Sequence, residues 1–421
     1  MAKAKKAEDT SSVDDIFSQL ITQQNNVSPG SAMLGTELNS EVDIWIDSGS
    51  MLLNFVLSNT ATGGWPAGRT VQVFGKESIG KSTLSYVAMA NCQRLGGICI
   101  YVDVEHASNK KFMQLLGVDL TRIIWSDIDT LEDLFLALDK NLTTIISSGK
   151  YKNKPILIII DSVTSLQTKA EFEGDYEFNM NRSLGKAKQM GLALKKINSL
   201  LNKANACLFC IDQIRDNTSG YGTAWTVPGG RALPFYASIR LYLEGKEKIV
   251  ARDPEAENRY LQAVADWKQK GGKRSGEEKP ERDKADAVTI GYEIKAVTIK
   301  NKLAPNERVG HFRILFSEGL RDVDCYLDYC VRFGFIRKDG AYHQIVAFPN
   351  DCGKFYATEW LDIISEVEIH DKIRDLLIER LTVKTKIDKA LIGTEEITNE
   401  EKELISKLKA ETATVDEEED E

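Results

Sequence analysis

The sequence has no run of about 18 apolar residues, and no apolar stretch follows its basic start, MAKAKKAEDT. A membrane-spanning helix needs roughly 20 mostly apolar residues, and a signal peptide needs an apolar central region. We therefore expect neither a membrane span nor secretion. Cys207 and Cys210 lack a second Cys/His pair at a zinc-site spacing, and both lie in the apolar run ACLFCIDQ. We interpret them as part of a buried strand in a reducing, cytoplasmic protein.

A net positive charge, which is common in nucleic-acid-binding proteins, is also absent. The chain has 54 Lys and Arg against 63 Asp and Glu, which gives a net charge of −9. The last six residues, Asp416 to Glu421, are all acidic and carry most of this excess. DNA binding is therefore not excluded, because the remaining basic residues can still cluster on one face.

The pattern along the chain predicts an α/β fold. The clearest apolar runs are TVQVFG (70–75), GICIYVDVE (97–105), ILIIID (156–161), CLFCID (207–212) and IRLYLE (239–244). Buried runs separated by helical stretches are typical of a mostly parallel central sheet that lies between helices. Strongly charged residues from Lys268 to Asp286 predict an excursion between two strands, preceded by a short helix over residues 258–267.

A short amphipathic helix is predicted from about Ser12 to Gln24. It can pack on a neighbouring subunit or on its own domain, and the residues leave both options open. The predicted regions are an N-terminal helix and linker (1–42), a core (43–320) with a charged insertion (about 246–287), a small C-terminal α/β domain (321–408) and an acidic tail (409–421).

The first apolar run leads directly into GKESIGKST and then into a helical stretch. This is the G-x-x-x-x-G-K-[ST] pattern in the strand–loop–helix setting that binds phosphate. Backbone N–H groups cradle the phosphate oxygens, Lys81 supplies a charge for the β- and γ-phosphates, and Ser82 is a ligand for Mg²⁺. The predicted ATP-contacting loop residues are Gly75, Lys76, Glu77, Ser78, Ile79, Gly80, Lys81, Ser82 and Thr83.

Acidic residues lie at the ends of two other apolar runs. Asp161 ends ILIIID, and a carboxylate at the carboxyl end of a buried parallel strand faces the ligand crevice, where it is predicted to hold Mg²⁺. Asp103 and Glu105 lie at the end of CIYVDVE, where a carboxylate can orient the water that attacks the γ-phosphate. Strand alternation places both of these on the same side, so the spacing leaves both as candidates.

Six strings in order resemble the bacterial RecA recombinases: GKESIGKSTL, YVDVEHA, IIIDSV, DQIR, PGGRALPFYASIRL and IKNKLAP. The resemblance covers about residues 43 to 340, some two-thirds of the chain, and phage-encoded relatives of the family are also plausible neighbours. It implies an ATP-dependent recombinase that forms helical homo-oligomeric filaments on single-stranded DNA, captures double-stranded DNA and exchanges strands. Single-strand-binding and mediator proteins are candidate further partners.

The resemblance also implies roles for residues around the nucleotide. Glu105 matches the catalytic glutamate of the family, and Gln213 matches the residue that senses the γ-phosphate and connects it to a DNA-binding loop. Phe112 lies where the family places an aromatic ring against adenine, and Phe316 is a second candidate for the base pocket.

Three residues resemble those of the family's filament interface. Lys300 and Lys302 match two lysines that reach across the interface to the ATP of the neighbouring subunit, and Phe235 matches an aromatic residue that docks in that subunit. From spacing alone, the two lysines would be neighbours on a solvated strand face. The implied catalytic set is Lys81, Glu105, Gln213, Lys300 and Lys302.

Two segments, residues 171–191 and residues 215–230, resemble the DNA-facing loops of the family. Without the resemblance, the second would be interpreted as a lid or a disordered loop. Backbone amides, small hydroxyls and a few cations suit contacts with the DNA backbone. The candidate DNA-binding residues are Arg182, Lys186, Lys188, Arg215, Tyr221, Gly222, Trp225, Gly229, Gly230 and Arg231.

The sequence departs from the family at Asp212, where asparagine is usual just before Gln213. An acid there would repel the γ-phosphate unless it points away or is neutralised. Two other classes of protein are compatible with the phosphate loop. One is a motor or switch that does not pair DNA, and the other is a structural nucleoprotein filament. Lys300 and Lys302 argue against the first, and the intact catalytic set argues against the second.

Overall fold

The structure is a computed structural model that describes residues 18–24, 26, 42–173, 180–216, 225–228, 230–272, 278–281 and 287–382. The chain divides into two compact units, Met1–Asp43 and Ile44–Glu421. In the first unit, residues 18–24 form a helix, α1, which lies within the helix predicted from Ser12 to Gln24. The acidic tail and residues 383–408 lie outside the described residues.

Strands and helices alternate through the larger unit. The strands are β1 (Trp45–Ile46), β2 (Trp65–Pro66), β3 (Thr70–Gly75), β4 (Ile98–Asp103), β5 (Ile123–Ser126), β6 (Ile156–Asp161), β7 (Ala206–Gln213), β8 (Arg215–Asp216), β9 (Trp225–Thr226), β10 (Ile239–Arg252), β11 (Ala287–Asn301), β12 (Val309–Leu315), β13 (Gly319–Arg321), β14 (Ile336–Asp339), β15 (Tyr342–Ile345) and β16 (Phe355–Tyr356). The helices that follow α1 are α2 (Met51–Ser58), α3 (Lys81–Arg94), α4 (Lys110–Leu115), α5 (Leu131–Ser148), α6 (Lys169–Phe172), α7 (Met180–Lys203), α8 (Ala232–Tyr236), α9 (Pro254–Gln269), α10 (Val323–Arg332), α11 (Trp360–Ile364) and α12 (Val367–Leu381).

A nine-stranded sheet in the order β13-β12-β11-β10-β3-β7-β6-β4-β5 forms the centre of this unit. Strands β10, β3, β7, β6, β4 and β5 are parallel to one another. The pairs β10–β11, β11–β12 and β12–β13 are antiparallel. The predicted α/β fold with a mostly parallel sheet is confirmed. The bounds predicted for β3 and β6 also agree with the structure.

The sheet has a separate apolar core on each face. Leu157 and Ile159 of β6 lie in the core that includes α3, whereas Ile158 and Ile160 lie in the core that includes α5 and α7. Because neighbouring side chains of a strand point to opposite faces, an unbroken apolar run such as ILIIID is stable only between two layers of helices. The cysteines of β7 are buried and unpaired, which confirms the strand interpretation of Cys207 and Cys210.

The strongly charged residues 268–286 lie between β10 and β11, whereas residues 246–252 of the predicted insertion belong to β10. β10 continues beyond the apolar run IRLYLE to Arg252, because it pairs with β11 as far as Ala287. The short helix predicted over residues 258–267 is longer, since α9 starts after Asp253, whose side chain accepts a hydrogen bond from the Glu255 N–H group. Residues 273–277 and 282–286 lie outside the described part of the insertion.

The C-terminal elements β14–β16 and α10–α12 surround a third apolar core, which also includes Leu52 and Phe55 of α2. A buried carboxylate fixes this contact. Oδ2 of Asp322 accepts a hydrogen bond from Oγ of Ser50 at 2.8 Å and from the Leu52 N–H group at 3.1 Å. Ser50 is the N-cap of α2, and Asp322 directly precedes α10. These hydrogen bonds therefore join the start of α2 to the start of α10. Within the described ranges, no helix is long and apolar enough to cross a membrane.

We expect Asp322→Ala to lower the free energy of unfolding by about 2 kcal/mol, because the Ser50 hydroxyl and the Leu52 N–H group lose a buried acceptor. Urea denaturation followed by circular dichroism measures the change. Asp328→Ala is the matched control, since Asp328 is an exposed acid on α10 and its loss should cost at most about 0.5 kcal/mol. Equal effects of the two substitutions would contradict the structural role of Asp322.

Candidate functional site

The carboxyl ends of β3, β4, β6 and β7 meet at one edge of the sheet, beside a cavity of about 530 Å³. The structure brings most of the predicted nucleotide residues together around this cavity. Those that line it are Glu77, Ser78, Ile79, Gly80, Lys81, Ser82, Thr83, Glu105, Phe112, Asp161, Gln213 and Phe316. Ile211, Tyr292 and Ile314 also line it and were not predicted.

Two glycines allow the loop after β3 to fit between its neighbours. Gly80 has a φ of 89°, and a Cβ atom there would lie 2.1 Å from Cδ1 of Ile314. At Gly75, a Cβ atom would lie 2.4 Å from the carbonyl oxygen of Leu243 on the adjacent strand. At Gly75 a side chain would have to displace the backbone of β10, and at Gly80 the positive φ strains any residue with a side chain. The loop geometry therefore depends on glycine at both positions.

Lys81 is the first residue of α3 and is only 7% exposed. Its Nζ donates hydrogen bonds to the carbonyl oxygens of Gly75, at 2.9 Å, and Lys76, at 2.6 Å. Burial lowers the pKa of Lys81, and the charges of Asp161 and Glu105 oppose this effect. The ammonium group is therefore held inside the curve of the loop, where phosphate oxygens would take over its hydrogen bonds.

Asp161 lies at the end of β6 and accepts two hydrogen bonds at Oδ2. Oγ of Ser82 donates at 2.7 Å and the Tyr101 hydroxyl donates at 3.0 Å. Burial raises the pKa of Asp161, and these two hydrogen bonds oppose the shift. A carboxylate beside a hydroxyl offers the hard oxygen ligands that Mg²⁺ prefers, so Ser82 and Asp161 fit the predicted metal role. Sequence reasoning missed Tyr101, although strand alternation places it on the α3 side of β4.

The structure distinguishes the two acids at the end of β4 by their burial and by their hydrogen-bond partners. β4 ends at Asp103, and strand alternation does not extend into the turn that follows. Asp103 is buried, and its Oδ2 accepts a hydrogen bond from the Ser108 N–H group at 3.3 Å. Glu105 lines the cavity, and its Oε1 accepts a hydrogen bond from Nε2 of Gln213 at 2.8 Å. Glu105 also accepts one from Oγ of Ser162 at 2.5 Å.

Two aromatic residues lie at different depths of the cavity wall. Phe112 packs against the core beside Tyr86, with ring centroids 6.3 Å apart. Phe316 is 49% exposed and makes an edge-to-face contact with Tyr292 at 5.8 Å. Both candidate adenine contacts are therefore placed at the cavity, and Tyr292 offers a further ring that the sequence pattern did not reveal.

Lys300 and Lys302 lie towards the opposite, amino edge of the parallel strands. Nζ of Lys300 donates to the carbonyl oxygens of Pro234, at 2.7 Å, and Phe235, at 2.8 Å, and both of these belong to α8, just before β10. Burial, together with the nearby charge of Lys302, lowers the pKa of Lys300 to about 8. β3 runs for about 17 Å from the amino edge to the phosphate loop, at about 3.3 Å per residue. One chain therefore does not bring these lysines to its own cavity.

The exposed aromatic Phe235 shares this amino edge. Its side chain is 70% exposed and lines a groove of about 550 Å³ together with Lys302 and Arg69. The three residues predicted for the filament interface are thus grouped at one end of the sheet, and the cavity is at the other end.

The first predicted DNA-binding segment is described only in part, because residues 174–179 lie outside the described residues. Arg182 belongs to α7, of which only the backbone is described at that position. Lys188 on the same helix is exposed. Lys186 is half-buried, and its Nζ donates to the carbonyl oxygen of Thr164 at 3.0 Å.

The second predicted DNA-binding segment begins and ends in defined structure. Arg215 lies in β8, which pairs with β9 in antiparallel fashion so that Asp216 lies opposite Trp225. At the end of the segment, a Cβ atom on Gly230 would lie 2.7 Å from Cβ of Ala187 on α7. The two segments therefore meet at α7. Arg231 directly precedes α8, and Tyr221, Gly222 and Gly229 lie outside the described residues.

Comparisons with known proteins agree with this geometry. The family model described as the RecA N-terminal domain matches residues 16–270. The chain is 36% identical over 312 residues to Protein RecA of Helicobacter hepaticus, covering 73% of this chain and 76% of the relative. It is 30% identical over 359 residues to Protein RecA of Colwellia psychrerythraea, covering 84% and 90%.

The chain belongs to the RecA family. The resemblance predicted from six short strings is confirmed, and with it a recombinase function in DNA recombination and repair. Membership in the RecA family also implies a nucleotide-dependent ATPase that works with a metal ion, DNA binding and oligomerisation.

Asp212, where this chain departs from the RecA family, points away from the cavity. It lies between Ile211 and Gln213, which both line the cavity, so strand alternation directs it to the other face of β7. There it is buried, and its Oδ2 accepts a hydrogen bond from Nε2 of Gln72 at 2.6 Å. Burial raises the pKa of Asp212, and this hydrogen bond opposes the shift. The departure therefore directs the carboxylate into a buried hydrogen-bonded network and not into the cavity.

The different surroundings of Asp103 and Glu105 predict different effects when each acid is replaced by its amide residue. We expect Glu105→Gln to lower kcat for ATP hydrolysis by a factor of about 100 or more while nucleotide binding persists, because the cavity loses the carboxylate that can orient water. Asp103→Asn should lower kcat by less than about fivefold, since Asp103 supports a turn. Phosphate release and binding of a fluorescent ATP analogue measure the two effects. A larger loss for Asp103→Asn would reverse the assignment.

Proposed function

We propose that this chain is an ATP-dependent homologous recombinase that forms helical filaments on single-stranded DNA, captures double-stranded DNA and exchanges strands. The observation that carries the proposal is the division of the predicted catalytic set between two edges of one sheet. Lys81, Glu105 and Gln213 lie around the cavity, whereas Lys300 and Lys302 lie towards the amino edge. We infer that each ATP site is completed by the next subunit.

A head-to-tail contact joins the two halves of such a site. When the amino edge of one copy meets the carboxyl edge of the next, its two lysines can face the neighbour's γ-phosphate. Ammonium groups there stabilise the charge that develops during phosphoryl transfer. Phe235 is available for the same contact because 70% of its side chain is exposed. Head-to-tail contacts that do not close into a ring generate a helical filament.

Within the cavity, we propose that the loop N–H groups and Lys81 bind the phosphates of ATP. Ser82 and Asp161 would hold Mg²⁺, which when bound neutralises phosphate charge. Glu105 orients the attacking water, and Gln213 responds to the γ-phosphate because its amide already contacts Glu105 at 2.8 Å. Phe112, on the wall, and Phe316, on the rim, are proposed to contact the adenine.

We propose that DNA binds where the two predicted segments meet at α7. Lys188 is exposed there, and the end of the second segment packs against α7 at Ala187. Gln213 ends β7 only two residues before β8, where that segment begins. DNA bound at this place would therefore act directly on the backbone that follows the proposed γ-phosphate sensor. Contacts with phosphates and sugars make such binding independent of base sequence.

We also propose that the protein acts in the cytoplasm, where a reducing environment suits its seven unpaired cysteines. Single-strand-binding and mediator proteins are proposed as partners, because a filament that grows on single-stranded DNA competes with other proteins for the same strand.

The proposal predicts that unstructured single-stranded DNA strongly stimulates ATP hydrolysis. Filament assembly on DNA completes the shared sites, so phosphate release should rise at least about tenfold when oligothymidine is added. Lys81→Ala should abolish hydrolysis with and without DNA, because the phosphates lose their buried charge. A rate that is indifferent to DNA would favour a nucleotide-driven switch instead.

A mixing experiment tests whether the active site is shared. Glu105→Gln and Lys302→Ala subunits should each be almost inactive alone. In an equal mixture, the intact Glu105 of one variant faces the intact Lys302 of the other at about a quarter of the head-to-tail contacts. The mixture should therefore recover about a quarter of the parent rate. No recovery, despite co-assembly measured by fluorescence energy transfer, would show that both residues act within one chain.

A further inference from the structure

Thr164 lies in the connection between β6 and α6 and contacts two other elements, β7 and α7. Its Oγ1 donates a hydrogen bond to Oδ1 of Asp212 at 3.1 Å. The same Oγ1 accepts one from the N–H group of Gln213 at 3.5 Å. Its carbonyl oxygen accepts a hydrogen bond from Nζ of Lys186 on α7 at 3.0 Å. One residue thus links the end of β7, where the proposed γ-phosphate sensor Gln213 lies, to the helix of the first DNA-binding segment.

Asp212 fixes the position of the Thr164 hydroxyl. It is buried, and its second oxygen accepts a hydrogen bond from Nε2 of Gln72 at 2.6 Å. Oε1 of Gln72 in turn accepts from Nε of Arg240 at 2.7 Å. A buried carboxylate that loses a partner is costly, so Asp212 holds the Thr164 hydroxyl in one orientation. The lone pairs of that hydroxyl are then directed to the Gln213 backbone.

The other end of the link reaches the cavity. Nε2 of Gln213 donates to Oε1 of Glu105 at 2.8 Å. These contacts connect Lys186 to Glu105 through the carbonyl and hydroxyl groups of Thr164 and through the backbone and side-chain N–H groups of Gln213. Because its members are joined by direct contacts, a shift of Thr164 changes the position of the Gln213 backbone relative to Glu105.

Lys186 is the element of this chain that DNA can act on. Its side chain is half-buried, and among the described residues its Nζ donates to a neutral carbonyl group, that of Thr164. A phosphate is a stronger acceptor for an ammonium group than a peptide carbonyl, because both partners are then charged. Lys188, two residues along the same helix, is exposed, and the second DNA-binding segment ends against Ala187 between them.

We propose that Thr164 is a positioning residue that couples α7 to the Glu105–Gln213 pair. DNA phosphate draws Lys186 away from the Thr164 carbonyl, and the released Thr164 shifts Gln213 relative to Glu105. This inference rests on the proposed function, because it requires DNA at α7. Thr164 itself contacts neither nucleotide nor DNA.

The test compares Thr164→Val, which removes the hydroxyl, with Thr164→Ser, which keeps it. We expect Thr164→Val to lower the DNA-stimulated kcat by about five- to tenfold, the effect of one lost hydrogen bond. The KM for ATP and the affinity for labelled oligothymidine should change by less than about twofold, since Thr164 binds neither. Thr164→Ser should restore the rate. Thr144→Val, at an exposed position of α5, is the control for the substitution itself.

Amide hydrogen exchange supplies a readout that does not depend on turnover. In the parent, DNA should change the exchange of residues 206–216, which contain Gln213. In Thr164→Val, this response to DNA should be lost. If the parent ATPase ignores DNA, the proposed function fails and the coupling fails with it. If the parent responds and Thr164→Val responds equally, only the coupling is overturned. Equal losses of kcat in Thr164→Val and Thr164→Ser would assign Thr164 to packing. A loss of DNA affinity as large as the loss of kcat would assign it to DNA binding. Either result would also overturn the coupling.

Discussion

The parallel pairing of β3 with β7, and of β7 with β6, brings the ends of three strands to the same edge of the sheet. Gly75, Gln213 and Asp161 are the last residues of those strands, so one register places the phosphate loop, the amide and the carboxylate side by side. The apolar runs that form these strands fix that register, because a shift of one residue would turn apolar side chains of one core towards the other. The site therefore depends on packing far from its own polar groups.

Strand alternation also gives the two faces of β7 different surroundings. Ile211 and Gln213 face the cavity, whereas Asp212 faces a buried network with Gln72 and Thr164. A charged side chain next to the proposed sensor is thus compatible with nucleotide binding, because the strand itself separates the two. In the same arrangement the network contacts the Gln213 backbone through Thr164, and this contact is the basis that we propose for coupling DNA contact to hydrolysis.

Local patterns predicted the parts of the site that a short segment can form by itself. The phosphate loop was found because a strand, a loop and a helix follow each other directly, and Asp161 was found because it ends an unbroken apolar run. Tyr101, which bonds Asp161, and Tyr292, on the cavity wall, were missed because the neighbours of a strand come from distant parts of the chain. Asp103 and Glu105 could not be separated by spacing, since their difference arises where β4 ends and a turn begins. The position of Lys300 relative to Lys81 likewise required the strand order.

The placement of Phe235, Lys300 and Lys302 at one edge and the cavity at the other gives the proposed filament two unlike ends. The subunit at one end has an open cavity with no lysines supplied to it, and the subunit at the other end presents lysines that reach no nucleotide. A filament of n subunits then has n − 1 complete sites, so the turnover per subunit rises with length and is lowest in short oligomers. The rates at which subunits are added and lost would also differ between the two ends, because only one end carries a nucleotide that is protected from hydrolysis.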